Sequence, residues 1–191
     1  NLFLEVREKD AFKPALLSYL QKRKGLSGII YCLSRRETDE LTIFLCSNGY
    51  NAVAYHAGKS PEYRRDAYDK FVTDPDLIMV ATIAFGMGID KPDIRFVVHV
   101  SLPSSMEAFY QEIGRAGRDD LPSETLLFYG LGDLIQRQRM TLEGEGDEKF
   151  KLFEYKRLDA LLGYCEAISC RRKALLGYFD QIISKCDNCD N

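Results

Sequence analysis

Apolar residues along this chain fall into short unbroken runs, separated by longer stretches in which they recur every three to four positions. Gly28-Ile-Ile-Tyr-Cys-Leu-Ser34 and Leu77-Ile-Met-Val-Ala81 are runs of the first kind, as are residues 52–55, 96–100 and 126–129. Runs this short and apolar predict strands buried on both faces, the situation of a parallel sheet. Residues 2–6 predict a further strand at an edge. Between these runs, residues 11–23, 37–48, 61–72 and 105–119 carry helical periodicity. Gly25 and Gly28 bracket the end of the first helix, Asn48-Gly49 caps the second, and Pro61 opens a third that Thr73-Asp-Pro75 breaks. Strand and helix alternating in this way predict an α/β domain, a parallel sheet with right-handed crossovers flanked by helices.

Past Gly130 the pattern changes. Residues 131–179 are helical in periodicity, broken near Glu143-Gly-Glu-Gly-Asp147, and no buried-strand run recurs. The boundary falls within a few residues of 132, giving an α/β domain over 1–131 and a small helical appendage over 132–191.

Composition adds bounds. A chain of 191 residues, 46% hydrophobic and 29% charged, is long and apolar enough for one packed domain plus an appendage, and is not disordered. No apolar run reaches membrane-spanning length, and no basic-then-apolar leader opens the chain, so a membrane is not an expected partner. The chain opens at Asn1 without an initiator Met, which reads as a segment of a longer protein. A net charge of −3 excludes a globally basic nucleic-acid binder but not a local basic track. Arg35-Arg36, Arg64-Arg65, Arg115 with Arg118, and Arg171-Arg172-Lys173 are candidate pieces of one, each reading singly as a solvated or salt-bridged pair. Cys32 and Cys46 stand alone in apolar settings, while Cys165, Cys170, Cys186 and Cys189 crowd the C-terminus. That distribution suits a local metal site in an intracellular protein, not a disulfide framework.

Ligands of open parallel sheets bind beyond the carboxyl ends of the strands. Four polar clusters follow strands here: Ser34-Arg35-Arg36, His56-Ala57-Gly58, Thr82 through Asp90, and residues 111–118 of the helix after the fourth core strand. Read as a helix throughout, residues 105–119 gather Gln111, Gly114, Arg115 and Arg118 on one face and Met106, Phe109, Ile113 and Ala116 on the other. Paired guanidiniums suit phosphate oxygens, which accept two parallel charge-assisted bonds from each fork. A plain surface helix would instead pair its arginines with Glu112, Asp119 or Asp120. Gly86 and Gly88 free backbone amides to cradle a phosphate. His56 reads either as a contact or as a half-buried hydrogen-bonded histidine, and His99 as a core histidine. The sequence contains no Gly-x-x-x-x-Gly-Lys-Ser/Thr and no acidic quartet for Mg²⁺. It holds parts of a nucleotide site without the half that grips a triphosphate.

Residues 29–35, 56–58, 80–95 and 110–119 resemble successive motifs of superfamily 2 helicases. The wording is similar to that of the RecQ family: Ala81-Thr-Ile-Ala-Phe-Gly-Met-Gly-Ile-Asp-Lys-Pro-Asp-Ile-Arg95 resembles its fifth motif and Tyr110-Gln-Glu-Ile-Gly-Arg-Ala-Gly-Arg-Asp119 its sixth. Cys170-Arg-Arg, Tyr178-Phe179 and Cys186-Asp-Asn-Cys189 resemble that family's zinc-binding subdomain. DEAD-box RNA helicases share the logic, but their sixth motif usually opens with His-Arg where this chain has Gln111-Glu112, and they lack the cysteines.

The resemblance implies a second RecA-like lobe of an ATP-dependent 3′→5′ DNA helicase, its ATP and Mg²⁺ shared with an N-terminal RecA-like lobe of the same protein. It implies Arg118 as arginine finger beside Arg115, Gln111 as orienter of phosphates or water, and Asp90, Gly88 and Gly114 at the nucleotide. It implies Ser34, Arg35, His56, Gly58 and Thr82 as contacts to single-stranded and duplex DNA, and a cytoplasmic, bacterial setting ahead of a nuclear one. Lys59 and Asp120 depart from a usual Leu and Gly, and neither is expected to touch the named chemistry. Cys170, Cys186 and Cys189 are expected to hold a structural Zn²⁺ in a site short of its fourth ligand. That site would be empty or closed by water or Asp190, and Cys165, about 140° round a helix from Cys170, is a poor substitute. Alone, such a chain would be inactive. The rival expectation is a non-catalytic DNA-binding or scaffolding module derived from a helicase.

Overall fold

The computed structural model describes residues 1–85, 89, 91–184 and 186–191. Among these, β1 (Leu2–Glu8), β2 (Gly28–Tyr31), β3 (Ala52–Tyr55), β4 (Ile78–Ala81), β5 (Phe96–His99) and β6 (Ser123–Tyr129) form one sheet in the order β1-β6-β5-β2-β4-β3. Every pairing is parallel. The edge strand is longer than the pattern suggested, because β1 pairs with β6 in full register from Leu2↔Ser123 to Glu8↔Tyr129.

Both faces are covered, which is why the central strands are apolar without alternation. Ile30, Val80, Val98 and Leu126 point to the face covered by α1 (Phe12–Gln21) and α2 (Arg35–Ser47), against Leu16, Leu20, Leu41 and Leu45. Their neighbours Ile29, Met79, Val97 and Leu127 point the other way, under Phe71 of α3 (Pro61–Thr73) and Phe109 and Ile113 of α4 (Met106–Ile113). Each such side chain, fully buried, stabilises the fold by roughly 1.5–3 kcal/mol. Gly28 is required by close approach, since a Cβ there would stand 2.1 Å from the Phe96 ring.

The appendage comprises α5 (Leu131–Glu143), α6 (Glu148–Glu166) and α7 (Arg171–Tyr178). Its Leu161, Tyr164, Cys165 and Leu175 join the buried cluster of Phe109 and Leu127, so it shares the core of the sheet. Glu107 on α4 clamps it, accepting from Tyr178 Oη at 2.8 Å and from Arg157 Nη2 at 3.3 Å. The tail then returns to β1: Leu4 N donates to Asn188 O at 3.3 Å, and Asp190 N donates to Leu4 O at 3.0 Å. An exposed strand edge is thereby covered. No described helix is long and apolar enough to cross a membrane.

The helix expected over 105–119 is shorter. Ser105 Oγ caps α4 by accepting from Ala108 N at 3.2 Å, but the helix ends at Ile113. Arg115 N and Ala116 N reach back three residues, to Glu112 O and Ile113 O. Gly117 then turns the chain out at φ 65°, where a Cβ would lie 2.7 Å from Ser123 Oγ. Its amide and that of Arg118 donate to Ile94 O and Pro92 O at 2.9 and 3.1 Å. A single helical face therefore cannot hold Gln111, Gly114, Arg115 and Arg118.

Candidate functional site

Three of the four expected clusters meet at the carboxyl edge of the sheet. Ser34, just past β2, caps α2 by accepting from Glu37 N at 3.1 Å, leaving Ser34 and Arg35 exposed. Gly58, past β3, lies against Arg35, since a Cβ on it would stand 3.2 Å from Arg35 Cδ. Thr82 follows β4 and donates its amide to Tyr55 O at the end of β3, at 3.2 Å. His56 lies beneath the Gly58 turn. It is 4% exposed, its Nδ1 accepts from Gly58 N at 3.2 Å, and its Nε2 lies 3.1 Å from Asp39 Oδ2. The ring supports the turn from beneath, with one nitrogen at the Gly58 amide and the other at the Asp39 carboxylate.

Lys59 is also less neutral than its departure from the family pattern suggested. Its Nζ lies 2.9 Å from Asp39 Oδ1, beside His56. Burial pushes the Asp39 carboxyl up, but hydrogen bonds from Lys59 and His56 outweigh it and hold the group below the usual carboxylate range.

The fourth cluster divides. Gln111 and Arg115 line a groove of about 460 Å³ with Tyr31, Phe85, Ala108 and Glu112, open near the ends of β2 and β4. Arg118 lies a turn further on, toward the amino end of β5, where Nε donates to Gly114 O at 3.2 Å and Nη1 to Ile89 O at 3.1 Å. Two of the three acids expected to neutralise these arginines on a plain surface helix are engaged elsewhere. Asp119 takes Arg95 at 2.6 Å, and Glu112 takes His99 Nε2 at 2.7 Å. Arg115 Nε is buried and lacks a hydrogen-bond partner among the described residues. Its guanidinium faces the Tyr31 hydroxyl, which burial pushes up in pKa against the opposing pull of Arg115. A buried N–H without a partner carries a desolvation cost, which an acceptor entering the groove would offset. Gly114 is exposed at the helix end; Gly88 and Asp90 lie outside the described residues.

Sequence reasoning missed Tyr31, Glu112 and Asp39 as supports. Tyr31 had a signal, a polar tip at the end of an apolar run. His99 is a core histidine as expected, 1% exposed and stacked on Tyr31 at 5.2 Å, but with Glu112 as its partner. Asp120 has a backbone reason for departing awkwardly from Gly: it adopts φ 63°, the left-handed region where Gly carries no penalty.

Cys170, Cys186 and Cys189 place their sulfurs within 4.8 Å of one another, with Cys170 and Cys189 at 3.8 Å. Asn188 N donates to Cys186 Sγ at 3.3 Å. Three convergent thiols fit a thiophilic cation such as Zn²⁺. Asp190 does not fit as a fourth ligand, because its carboxylate takes Arg171 Nε and Val6 N, each at 2.9 Å. Cys165 is 3% exposed in the core, and burial pushes its thiol up to about 12.

The chain matches the helicase conserved C-terminal domain over residues 12–120 and the RecQ zinc-binding region over residues 131–191. It is 41% identical to the ATP-dependent DNA helicase Q1 of Pongo abelii, covering 99% of this chain and 30% of that protein. It is 42% identical to the ATP-dependent DNA helicase RecQ of Haemophilus influenzae, covering 100% of this chain and 31% of that protein. It therefore spans under a third of the length of these relatives. Among solved structures, a DEAD box protein from the hyperthermophile Methanococcus jannaschii superposes with a TM-score of 0.58 and 26% identity, over 72% of this chain and 39% of that one. Domain 2 of the DEAD-box helicase Mss116p, bound to an RNA duplex, superposes with a TM-score of 0.60 over 82% of this chain and 69% of that one, and at 19% identity the likeness is of fold alone. The chain belongs to the helicase conserved C-terminal domain family, and within it to the superfamily 2 helicases of RecQ type.

Proposed function

We propose that in the full-length protein this chain is the second motor lobe of an ATP-dependent DNA helicase moving 3′→5′, with residues 1–131 as the lobe and 132–191 as its zinc-binding subdomain. The observation that carries the reading is the groove in which Arg115 Nε has no partner among the described residues, while Glu112 and Asp119 are engaged elsewhere. Bound chiefly by the first lobe, ATP with Mg²⁺ would supply the phosphoanhydride whose hydrolysis drives movement. Arg118 and Arg115 then neutralise charge developing on the transferred phosphoryl, Arg118 as the finger, and Gln111 orients phosphate or water. Ser34, Arg35, Gly58 and Thr82 hold the sugar-phosphate backbone of the strand, a salt-dependent and largely sequence-independent contact. Cys170, Cys186 and Cys189 would hold Zn²⁺, which ties the start of α7 to the tail. Without its first lobe the chain is inactive, and its cellular setting is cytoplasmic.

The test uses the full-length protein with single-stranded DNA and duplexes bearing 3′ or 5′ overhangs. Strand-stimulated ATP turnover and unwinding from the 3′ overhang are expected. Arg118→Ala should lower turnover about 10³-fold or more, while strand affinity stays within about threefold. Turnover of Arg118→Ala within about threefold of wild type would remove the finger assignment.

A further inference from the structure

Lys9, just past the end of β1 on the carboxyl edge, has a side chain that joins three elements. Nζ donates to Asp133 Oδ1 on the first turn of α5 at 2.7 Å and to Ser101 Oγ, two residues past β5, at 3.2 Å. It also stands 3.8 Å from Glu37 Oε1 on the first turn of α2. Ser101 Oγ donates to Glu37 Oε2 at 3.2 Å, and that oxygen also accepts the Leu33 amide at 3.0 Å. The Glu37 amide donates to Ser34 Oγ. One lysine, one hydroxyl and one carboxylate thus connect the end of α2 that carries Ser34 and Arg35 to the start of the appendage.

The cluster is under electrostatic demand. Asp133 is 5% exposed, and its Oδ2 has no hydrogen-bond partner among the described residues. Burial outweighs Lys9 and pushes this carboxyl above its usual range. A buried carboxylate of this kind relies on its cation, and removing that cation leaves the acid to find new partners or pull its helix away. Glu37 is tied to the same cation, so any movement of Asp133 or Lys9 reaches the Leu33–Glu37 turn.

We propose that Lys9 is a positioning residue for the strand contacts, holding the Ser34–Arg35 end of α2 in place against α5. The inference rests on reading Ser34 and Arg35 as strand contacts. Lys9 touches neither nucleotide nor DNA in this account; it fixes the geometry of residues that do. The appendage consequently acts on the DNA edge through side chains, beyond its role as a packed cover.

Lys9→Met keeps the aliphatic stem and removes the charge, and Lys9→Arg restores a cation. Both are compared with wild type in the full-length protein, by hydrogen exchange at the Leu33 and Glu37 amides and by the single-strand concentration giving half-maximal ATP turnover. Lys9→Met is expected to speed exchange at both amides by about tenfold. It should also raise the half-saturating concentration by about fivefold while kcat stays within about twofold. Lys9→Arg should return both readouts toward wild type. Ser101→Ala, which deletes the relay hydroxyl alone, should move them the same way by about twofold. Unchanged exchange in Lys9→Met overturns the proposal, as does faster exchange with an unchanged half-saturating concentration. If wild type shows no strand-stimulated turnover while exchange still responds to Lys9, the DNA reading has failed and the cluster is a structural tie only.

Discussion

Arg115 and Arg171 are the same residue put to opposite uses. Arg171 is 7% exposed and fully engaged: Nη1 donates to Tyr164 O, Cys165 O and Ala167 O at 2.8–2.9 Å, and Nε donates to Asp190 at 2.9 Å. It satisfies carbonyls that the end of α6 would otherwise leave open, and it fastens the tail. Arg115 sits in a groove with Nε unpartnered among the described residues. What separates these two arginines is what their donors already hold: Arg171 spends its fork on the protein, and Arg115 Nε is left over. Sequence grouped Arg171-Arg172-Lys173 with the candidate basic track; Arg171 is consumed inside the protein, and Arg172 donates to Leu2 O. That piece of the track is structural.

The strongest way to break this comparison is Arg171→Ala. Losing it leaves Asp190 and three carbonyls without their cation, and the cost expected is about 3–5 kcal/mol of unfolding free energy. A loss below about 1 kcal/mol by denaturant titration would mean that Arg171 is no more committed than a surface arginine. Next in size is Cys186→Ser, or chelation of zinc from the full-length protein. A cost on the order of 2 kcal/mol is expected, with faster exchange at the Leu4 and Val6 amides, which donate to Asn188 and Asp190. Unchanged exchange there would show the tail holding β1 without metal.

Glu107 asks whether α4 itself serves both uses, clamping the appendage at one end and presenting Arg115 beyond the other. Burial acts to raise its carboxyl, but Ser105, its own amide, Tyr178 and Arg157 outweigh that and hold it at about 2, below its ordinary 4.5. A depressed folded-state pKa stabilises at pH above the unfolded value, so this contribution is complete above about 4.5 and is lost as pH falls toward about 2. Glu107→Gln should cost about 1 kcal/mol at neutral pH, a difference that narrows on acidification; a gap independent of pH would contradict the clamp. The smallest effect is a gain. Asp120→Gly relieves the left-handed backbone at φ 63° and should add about 0.5–1 kcal/mol without altering ATP turnover.

The sheet was legible because its central strands are buried on both faces, which writes itself as runs such as Gly28-Ile-Ile-Tyr31. The cysteine trio was legible from spacing. What sequence could not supply was where α4 stops, because Gly117 and Arg118 leave the helix through bonds to Ile94 and Pro92, more than twenty residues away along the chain. Nor could it show that His56 lies beneath Gly58 on Asp39, or that Asp190 belongs to Arg171 and Val6. These are long-range partnerships between polar side chains, and periodicity carries no information about them.

ATP turnover and the thermal unfolding midpoint, measured side by side for Arg115→Lys and Arg171→Lys in the full-length protein, test the account most directly. A lysine keeps the charge and removes the fork at either place. Arg115→Lys is predicted to lose turnover by about 100-fold or more with its midpoint within about 1 °C of wild type. Arg171→Lys is predicted to lower the midpoint by about 5 °C while turnover stays within about threefold. An Arg115→Lys protein that keeps its turnover and unfolds as early as Arg171→Lys would contradict it.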